Sequence, residues 1–391
     1  MVGDISQTAV DFATSQRIIF GKGAVKNLVD FLDGLGKRAF VVRSKSASIV
    51  EVALNILDMN DIQSSTFTVP HEPDVEIINN AVKLAREFES DFVIAVGGGS
   101  IIDTAKAVSA MLNNEGALLD YLEVVGKGQK IDHPAKPCLV IPTTSGTGSE
   151  VTRNAVISVP EKNVKVSMRS PKMIPSIALV DPEATYDVPP EITAVTGMDA
   201  FTQVIEPYVS VRSNAMVDMF CKDAVPRAAE YLFRAYENGT DEEARNNMAW
   251  VSLMGGLSLA NAGLGAVHGF AGPIGGMFHA AHGAVCAALL PAVMKVNVEA
   301  INKDPANENT LVRYREIAAW ITGNSDADPV DGVLWLESLS EKLNIPKLNE
   351  MGIQANDFPA IIEKARASSS MKGNPVKLDE EQLSEILERS F

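Results

Sequence analysis

Short, almost wholly apolar runs alternate with helical periods through the first half of this chain. After the Pro189-Pro190 pair such runs nearly vanish. Ala39–Arg43, Asp91–Val96 and Cys138–Pro142 have the length and β-branched content of strands buried on both faces. Between them, Ile49–Met59, Val75–Phe88 and Ile101–Leu112 carry apolar residues at helical spacing. Strand, helix, strand at this spacing predicts a parallel sheet with both faces covered. Val151–Ser158 and Val164–Met168 predict a β-hairpin, and Ser176–Asp181 a last strand.

Beyond Pro190 the pattern is helical over Glu191–Val209, Met216–Asn238, Asp241–Ala262, His282–Ile301, Leu311–Ile321 and Val333–Leu343, with Leu378–Ser390 closing the chain. The expected architecture is an α/β domain over residues 1–186 with a parallel sheet, followed by an all-α domain over residues 187–391. A chain of 391 residues, 46% of them hydrophobic, suits two packed domains. A net charge of −16 argues against nucleic acid or an anionic membrane as a partner. The most apolar stretches, such as Ala284–Val293, look too short and interrupted to span a bilayer. The opening M-V-G-D-I-S-Q-T has neither a basic flank nor an apolar run, so a cytoplasmic location is expected. Cys138, Cys221 and Cys286 are too few and scattered for a disulfide framework and read as small buried hydrophobes.

Two loops carry the marks of a phosphate cradle. Gly97-Gly98-Gly99-Ser100 follows one predicted strand and opens a helix, where glycines permit close backbone approach and free N–H groups attract an anion. It is not the G-x-G-x-x-G fingerprint, and alone it is equally compatible with a plain strand-to-helix turn. Thr143–Ser149 (T-T-S-G-T-G-S) also follows a strand and concentrates hydroxyls and free N–H groups, with Thr143, Thr144 and Ser149 as candidate contacts. Two such loops at the carboxyl ends of parallel strands mark the usual ligand crevice of an open sheet. Asp103, one turn into the first helix, can orient a ribose or an amide, or can simply be a first-turn acid. Ser44 stands between Arg43 and Lys45 at the end of the first strand, where an acid would repel a 2′-phosphate. That favours NADP over NAD, although an ordinary basic turn has the same composition.

A second constellation lies in the helical half. Asp199 and Gln203 share one helix face. His268 and His282 are joined by a segment rich in glycine, taken here as chain that turns back so that the two rings converge. One carboxylate, two imidazoles and an amide oxygen would suit Fe²⁺ or Zn²⁺ acting as a Lewis acid on a carbonyl. Singly, each residue has an ordinary structural role. His279, close by, is a candidate proton carrier.

Taken together, R-I-I-F-G-K-G-A-V, G-G-G-S-I-I-D-T-A-K, T-T-S-G-T-G-S-E-V-T, A-L-V-D-P, G-M-D-A-F-T-Q and V-H-G…H-G resemble the iron-containing (group III) alcohol dehydrogenases, of the dehydroquinate synthase-like superfamily. The resemblance runs almost the full length. It implies a nucleotide-binding α/β domain, a helical domain, an active site in the cleft between them, and often a homodimer. It puts the metal ligands on Asp199, Gln203, His268 and His282, and cofactor contacts on Gly97, Gly98, Gly99, Ser100, Thr143, Thr144 and Ser149, with Ser44 falling where NAD-preferring members often carry Asp. It implies NAD(P)-dependent hydride transfer with a small alcohol or aldehyde. Relatives leave two alternatives: a metal-independent, maleylacetate-reductase-like enzyme that binds an acidic substrate, with Arg153 as anion partner, and a dehydroquinate synthase-like lyase that retains NAD. Two positions depart from the family pattern. Gln203 stands where members usually carry His, and Gly272 where many carry a His assigned to proton relay or to the nicotinamide side.

Overall fold

Six strands of the N-terminal half form one parallel sheet, and its register places the two glycine- and threonine-rich loops side by side. The structure, a computed structural model, describes residues 9–45, 47–303 and 307–391; the opening octapeptide lies outside them. Two units emerge from its contacts: Ala13–Val188, and Pro189–Phe391 joined by the described residues up to Phe12. The Phe12 ring packs on Phe220 with centroids 5.8 Å apart, which ties this stretch to the helical unit.

In the first unit the strands are β1 (Arg17–Phe20), β2 (Arg38–Arg43), β3 (Gln63–Thr68), β4 (Phe92–Gly97), β5 (Cys138–Pro142), β6 (Asn154–Val159), β7 (Val164–Arg169) and β8 (Ile177–Val180). The main sheet runs β1-β8-β5-β4-β2-β3, and β6 and β7 pair separately as the antiparallel hairpin. Helices α1 (Ile49–Met59), α2 (Val75–Glu87), α3 (Gly99–Asn113) and the single turn α4 (Leu118–Tyr121) complete the unit. β2, β4 and β5 are nearly or wholly buried, as continuous apolar runs demand. Strand order reverses around β2, which pairs with β3 on one side and β4 on the other. At this switch point Arg43 is in register with Val96, and Gly97 with Pro142. The residues after them, Ser44, Gly98 and Thr143, therefore leave the sheet at one level, where open α/β sheets bind ligands.

The second unit contains α5 (Pro190–Val209), α6 (Ala215–Glu237), α7 (Glu242–Ala262), α8 (Ala266–Phe278), α9 (His282–Asn302), α10 (Glu308–Thr322), α11 (Pro329–Lys342), α12 (Phe358–Ala367) and α13 (Glu380–Arg389). α5 is buried along most of its length, from Gly197 to Val209. α9 is 21 residues long and, by length and composition, apolar enough to cross a membrane, contrary to the expectation from its central stretch. In the fold 83% of that apolar window is inside the protein, as in the core helix of a bundle.

The glycine-rich segment after His268 also departs from expectation. It is not an irregular turn-back but the helix α8, with Pro273 inside it. The chain reverses only at its end, where His279 adopts the left-handed conformation (φ 53°). The helix forms despite its glycines because close packing calls for one of them. A Cβ on Gly269 would come within 2.9 Å of Met371.

Candidate metal centre

Helix α5 presents three polar side chains on one buried face: Asp199, Gln203 and, a further turn on, Glu206. They are 2%, 3% and 4% exposed, a large cost for a helix to carry unless each finds a partner. α8 supplies His268 in its first turn, and α9 supplies His282 as its first residue. The start of α9 is pressed against α5: a Cβ on Gly283 would come within 2.6 Å of the Val195 carbonyl oxygen, so only glycine permits this approach.

Side chains build the N-terminus of α8 where its own N-cap, Gly265, cannot. Val267 N–H donates to Glu206 Oε1 at 2.7 Å, and Ala266 N–H to Asn374 Oδ1 at 3.2 Å. The other oxygen of Glu206 accepts from His268 Nδ1 at 2.7 Å. With Nδ1–H committed to Glu206, Nε2 of a neutral His268 carries a lone pair. That nitrogen lies 3.2 Å from Asp199 Oδ1, and His282 Nε2 lies 3.8 Å from the same oxygen. Electron-rich atoms facing one another at these distances require a proton or a metal cation among them.

A further observation favours the cation. Asp199 Oδ1 and Gln203 Oε1 are buried and accept no well-aligned hydrogen bond among the described residues, although His268 Nε2 lies 3.2 Å from Asp199 Oδ1. Buried acceptors left so cost about 1–3 kcal/mol each, and a metal would satisfy both. Without one, the site must hold charge by protonation. Burial opposes an imidazolium at His268, yet Cys286, Asp199 and Glu206 outweigh it and hold the group well above the ordinary histidine range. Burial likewise opposes ionised Asp199, and the His268 and His282 imidazoles overcome it, keeping the carboxyl low. The residues thus fit a divalent ion, with Glu206 as the carboxylate that orients the ligating imidazole.

The donor atoms of Asp199, His268, His282 and Cys286 all lie within 4.8 Å of one another. Sequence reasoning missed Glu206 and Cys286. Glu206 had a signal, a third polar residue at helical spacing on an apolar helix. Cys286, one turn after His282, carried none beyond that spacing. His279 stands outside this cluster, exposed at the end of α8. Gly272 has open space beside its Cα, with no atom within 4 Å of where a Cβ would sit.

In the sheet unit the two predicted loops meet. Thr143 N–H donates to Gly97 C=O at 3.1 Å. A Cβ on Gly98 would lie 3.1 Å from Thr144 Oγ1, and one on Gly99 would lie 2.7 Å from Thr147 Cγ2. Gly98 caps α3 in an extended conformation, so Gly99 and Ser100 open the helix, where N–H groups lack intrahelical partners. Beneath the loops is a buried network that the sequence did not predict. Lys106, wholly buried, donates to Ser149 Oγ (2.6 Å) and Thr152 Oγ1 (3.0 Å) and pairs with Asp103 (3.1 Å). Asp103 accepts from Ser149 Oγ at 2.5 Å and from Val156 N–H at 2.8 Å. Both oxygens of Asp103 thus have internal partners, and the pair braces the second loop. Ser44 Oγ is buried without a hydrogen bond among the described residues, while the Arg43 guanidinium donates to the Ser44 carbonyl at 3.2 Å. Arg153 is exposed at the foot of the hairpin.

Comparison with known proteins agrees in both halves. Residues 15–182 match the family pattern described as iron-containing alcohol dehydrogenase, and residues 193–391 match the Fe-containing alcohol dehydrogenase family, C-terminal. The chain is 32% identical to alcohol dehydrogenase 4 of Saccharomyces cerevisiae over 379 residues, covering 95% of this chain and 96% of that one. It is 33% identical to the NADPH-dependent butanol dehydrogenase of Clostridium saccharobutylicum over 390 residues, 96% and 97% of the two chains. A crystal structure of 1,3-propanediol oxidoreductase superposes with a TM-score of 0.90 at 29% identity, covering 98% of this chain and 100% of that one. The sulfoacetaldehyde reductase of Bifidobacterium kashiwanohense, solved with NAD⁺, superposes with a TM-score of 0.85 at 27% identity, covering 98% and 99%.

Proposed function

The chain belongs to the iron-containing alcohol dehydrogenase family, a family of oxidoreductases, and from that premise we propose that it transfers hydride between a nicotinamide dinucleotide and a small alcohol or aldehyde. The observation that carries the proposal is the pair of orphaned, buried oxygens of Asp199 and Gln203 beside the lone-pair face of His268. Fe²⁺ or Zn²⁺ held by Asp199, His268 and His282, with Gln203 as a weaker donor, supplies Lewis acidity towards a carbonyl oxygen.

The protein's own groups prepare that chemistry. Glu206 fixes the tautomer and orientation of His268. The burial of Asp199, Gln203 and Glu206 keeps water from competing for the donors and strengthens every charge interaction there. His279, more open to solvent than His268, is the proton carrier in this reading. Gly97, Gly98, Gly99, Ser100, Thr143 and Thr144 cradle the dinucleotide phosphates with backbone N–H groups and hydroxyls, and the Asp103–Ser149–Lys106 network holds the second loop in place. Ser44 between two cations favours NADP over NAD, in line with the cofactor named for the butanol relative. NAD⁺ in the reductase neighbour marks the alternative. A cytoplasmic homodimer is the expected working form.

The metal-independent version with Arg153 as anion partner leaves the orphaned oxygens unexplained. Dehydrogenase relatives over the whole chain length favour net oxidation and reduction over a lyase that retains NAD. Elemental analysis of purified protein, with NADH and NADPH oxidation measured over a panel of short aldehydes, tests the proposal. About one metal per chain and turnover with at least one aldehyde is the expected result. A protein that oxidises neither cofactor with any aldehyde is not the enzyme described.

A further inference from the structure

The donor cluster contains a sulfur. Cys286 Sγ is fully buried, 3.8 Å from His268 Nε2 and 3.7 Å from His282 Nε2. Asp199 Oδ1 lies 3.2 and 3.8 Å from the same two nitrogens. A tetrahedral zinc ion with ordinary bond lengths spaces two N/O donors about 3.3 Å apart and a sulfur about 3.6 Å from a nitrogen. The four observed edges match those spacings to within about half an ångström. Hydrogen bonding does not explain the arrangement: one S–H proton cannot serve two imidazole nitrogens, and it leaves Asp199 Oδ1 and Gln203 Oε1 unsatisfied.

We propose that Cys286 is itself a ligand, its thiolate completing a set with Asp199, His268 and His282 around one divalent ion, and that this sulfur biases the site towards Zn²⁺. The proposal rests on the metal reading given above. As the sulfur–metal bond forms, the thiol proton leaves to solvent. Aspartate and thiolate together offset the ion's two positive charges. Gln203, a neutral amide on the same α5 face as Asp199, would then be a fifth, weaker donor, at the position open to exchange for a carbonyl oxygen. Soft thiolate ligands select zinc over the harder preferences of iron, and zinc also stands above Fe²⁺ in general affinity for such sites.

Stripping the full-length protein of metal and titrating it with Co²⁺ separates the possibilities. The expected result is one cobalt per chain with a near-ultraviolet thiolate-to-cobalt charge-transfer band. In Cys286→Ser the band disappears and zinc affinity falls at least about tenfold. Stoichiometric cobalt without the band overturns sulfur ligation and leaves the metal reading standing. A band that persists in Cys286→Ser assigns the sulfur elsewhere and also overturns the proposal. No cobalt binding at all overturns the metal reading, and this inference with it. Should the variant not fold, zinc-edge X-ray absorption of the wild-type protein decides: one sulfur at about 2.3 Å is expected, and a shell of N/O donors alone refutes it.

Discussion

Glu206 Oε2 and His268 Nδ1 are 2.7 Å apart across two helices, and both side chains are buried. This contact leaves His268 Nε2 facing Asp199. Glu206→Gln keeps the shape of the side chain and its bond to Val267 N–H while removing the anionic acceptor. Metal affinity is expected to fall about 10- to 100-fold, read by competition with a chelator of known affinity. Unchanged affinity removes Glu206 from the orienting role.

His268→Ala removes a donor outright. Loss of several kcal/mol of charge stabilisation at the carbonyl corresponds to about a 10³-fold fall in kcat. The loops proposed to hold the nucleotide are in the sheet unit, to which His268 does not belong, so the nucleotide dissociation constant is expected to stay within about twofold. Parallel turnover and nucleotide titration measure both, and an intact kcat rejects a catalytic metal.

At Gly99 the two loops leave no room for a side chain, with Thr147 Cγ2 2.7 Å from where a Cβ would sit. Gly99→Ala forces the second loop outward. The expected cost is about 1–3 kcal/mol of stability, with weaker nucleotide binding in the same variant. Calorimetry and nucleotide titration check the pair; a wild-type melting temperature with wild-type binding contradicts the cradle.

Ser44→Asp places a carboxylate beside Ser44's present neighbours at the carboxyl end of β2. Repulsion of a 2′-phosphate should lower kcat/KM for NADPH about tenfold or more relative to NADH. An unaltered ratio of the two places the adenosine end of the cofactor elsewhere.

Glu150 is 2% exposed, and burial pushes its carboxyl up to about 7, against weaker opposing effects of a backbone hydrogen bond and Lys106. The folded state therefore holds this proton more tightly than the unfolded chain. Its contribution is fully present below the unfolded value of 4.5 and is lost as pH rises to about 7. The loss is on the order of 3 kcal/mol. Glu150→Gln should flatten this part of the profile, measured as the difference in urea stability between about pH 5.5 and about pH 7.5. Parallel profiles for the two proteins contradict it.

Much of the architecture was legible because local pattern and burial coincide. The period over Ile49–Met59 predicts α1 to the residue, and the apolar run Cys138–Pro142 predicts β5. β3 escaped notice because Gln63–Thr68 is a polar edge strand, recognisable only by its pairing with β2. β1 likewise exists through its pairing with β8, some 160 residues later in the chain.

The alternation of strand and helix, the all-helical second half and the two loops are written in residue types at short spacing, whereas Asp199, Gln203, His268 and His282 stood out as one set through the family resemblance. Only packing shows that the glycine-rich segment is a helix, that Lys106 lies buried beneath the second loop, that Cys286 joins the donor cluster and that Glu206 holds His268 from behind. The difference is one of range. Helical periods and turns are set by neighbours a few residues apart, whereas α8 draws its capping partners from Glu206 and Asn374, about 60 and 110 residues away. Nothing in the local sequence around His268 encodes which carboxylate and which sulfur will face it.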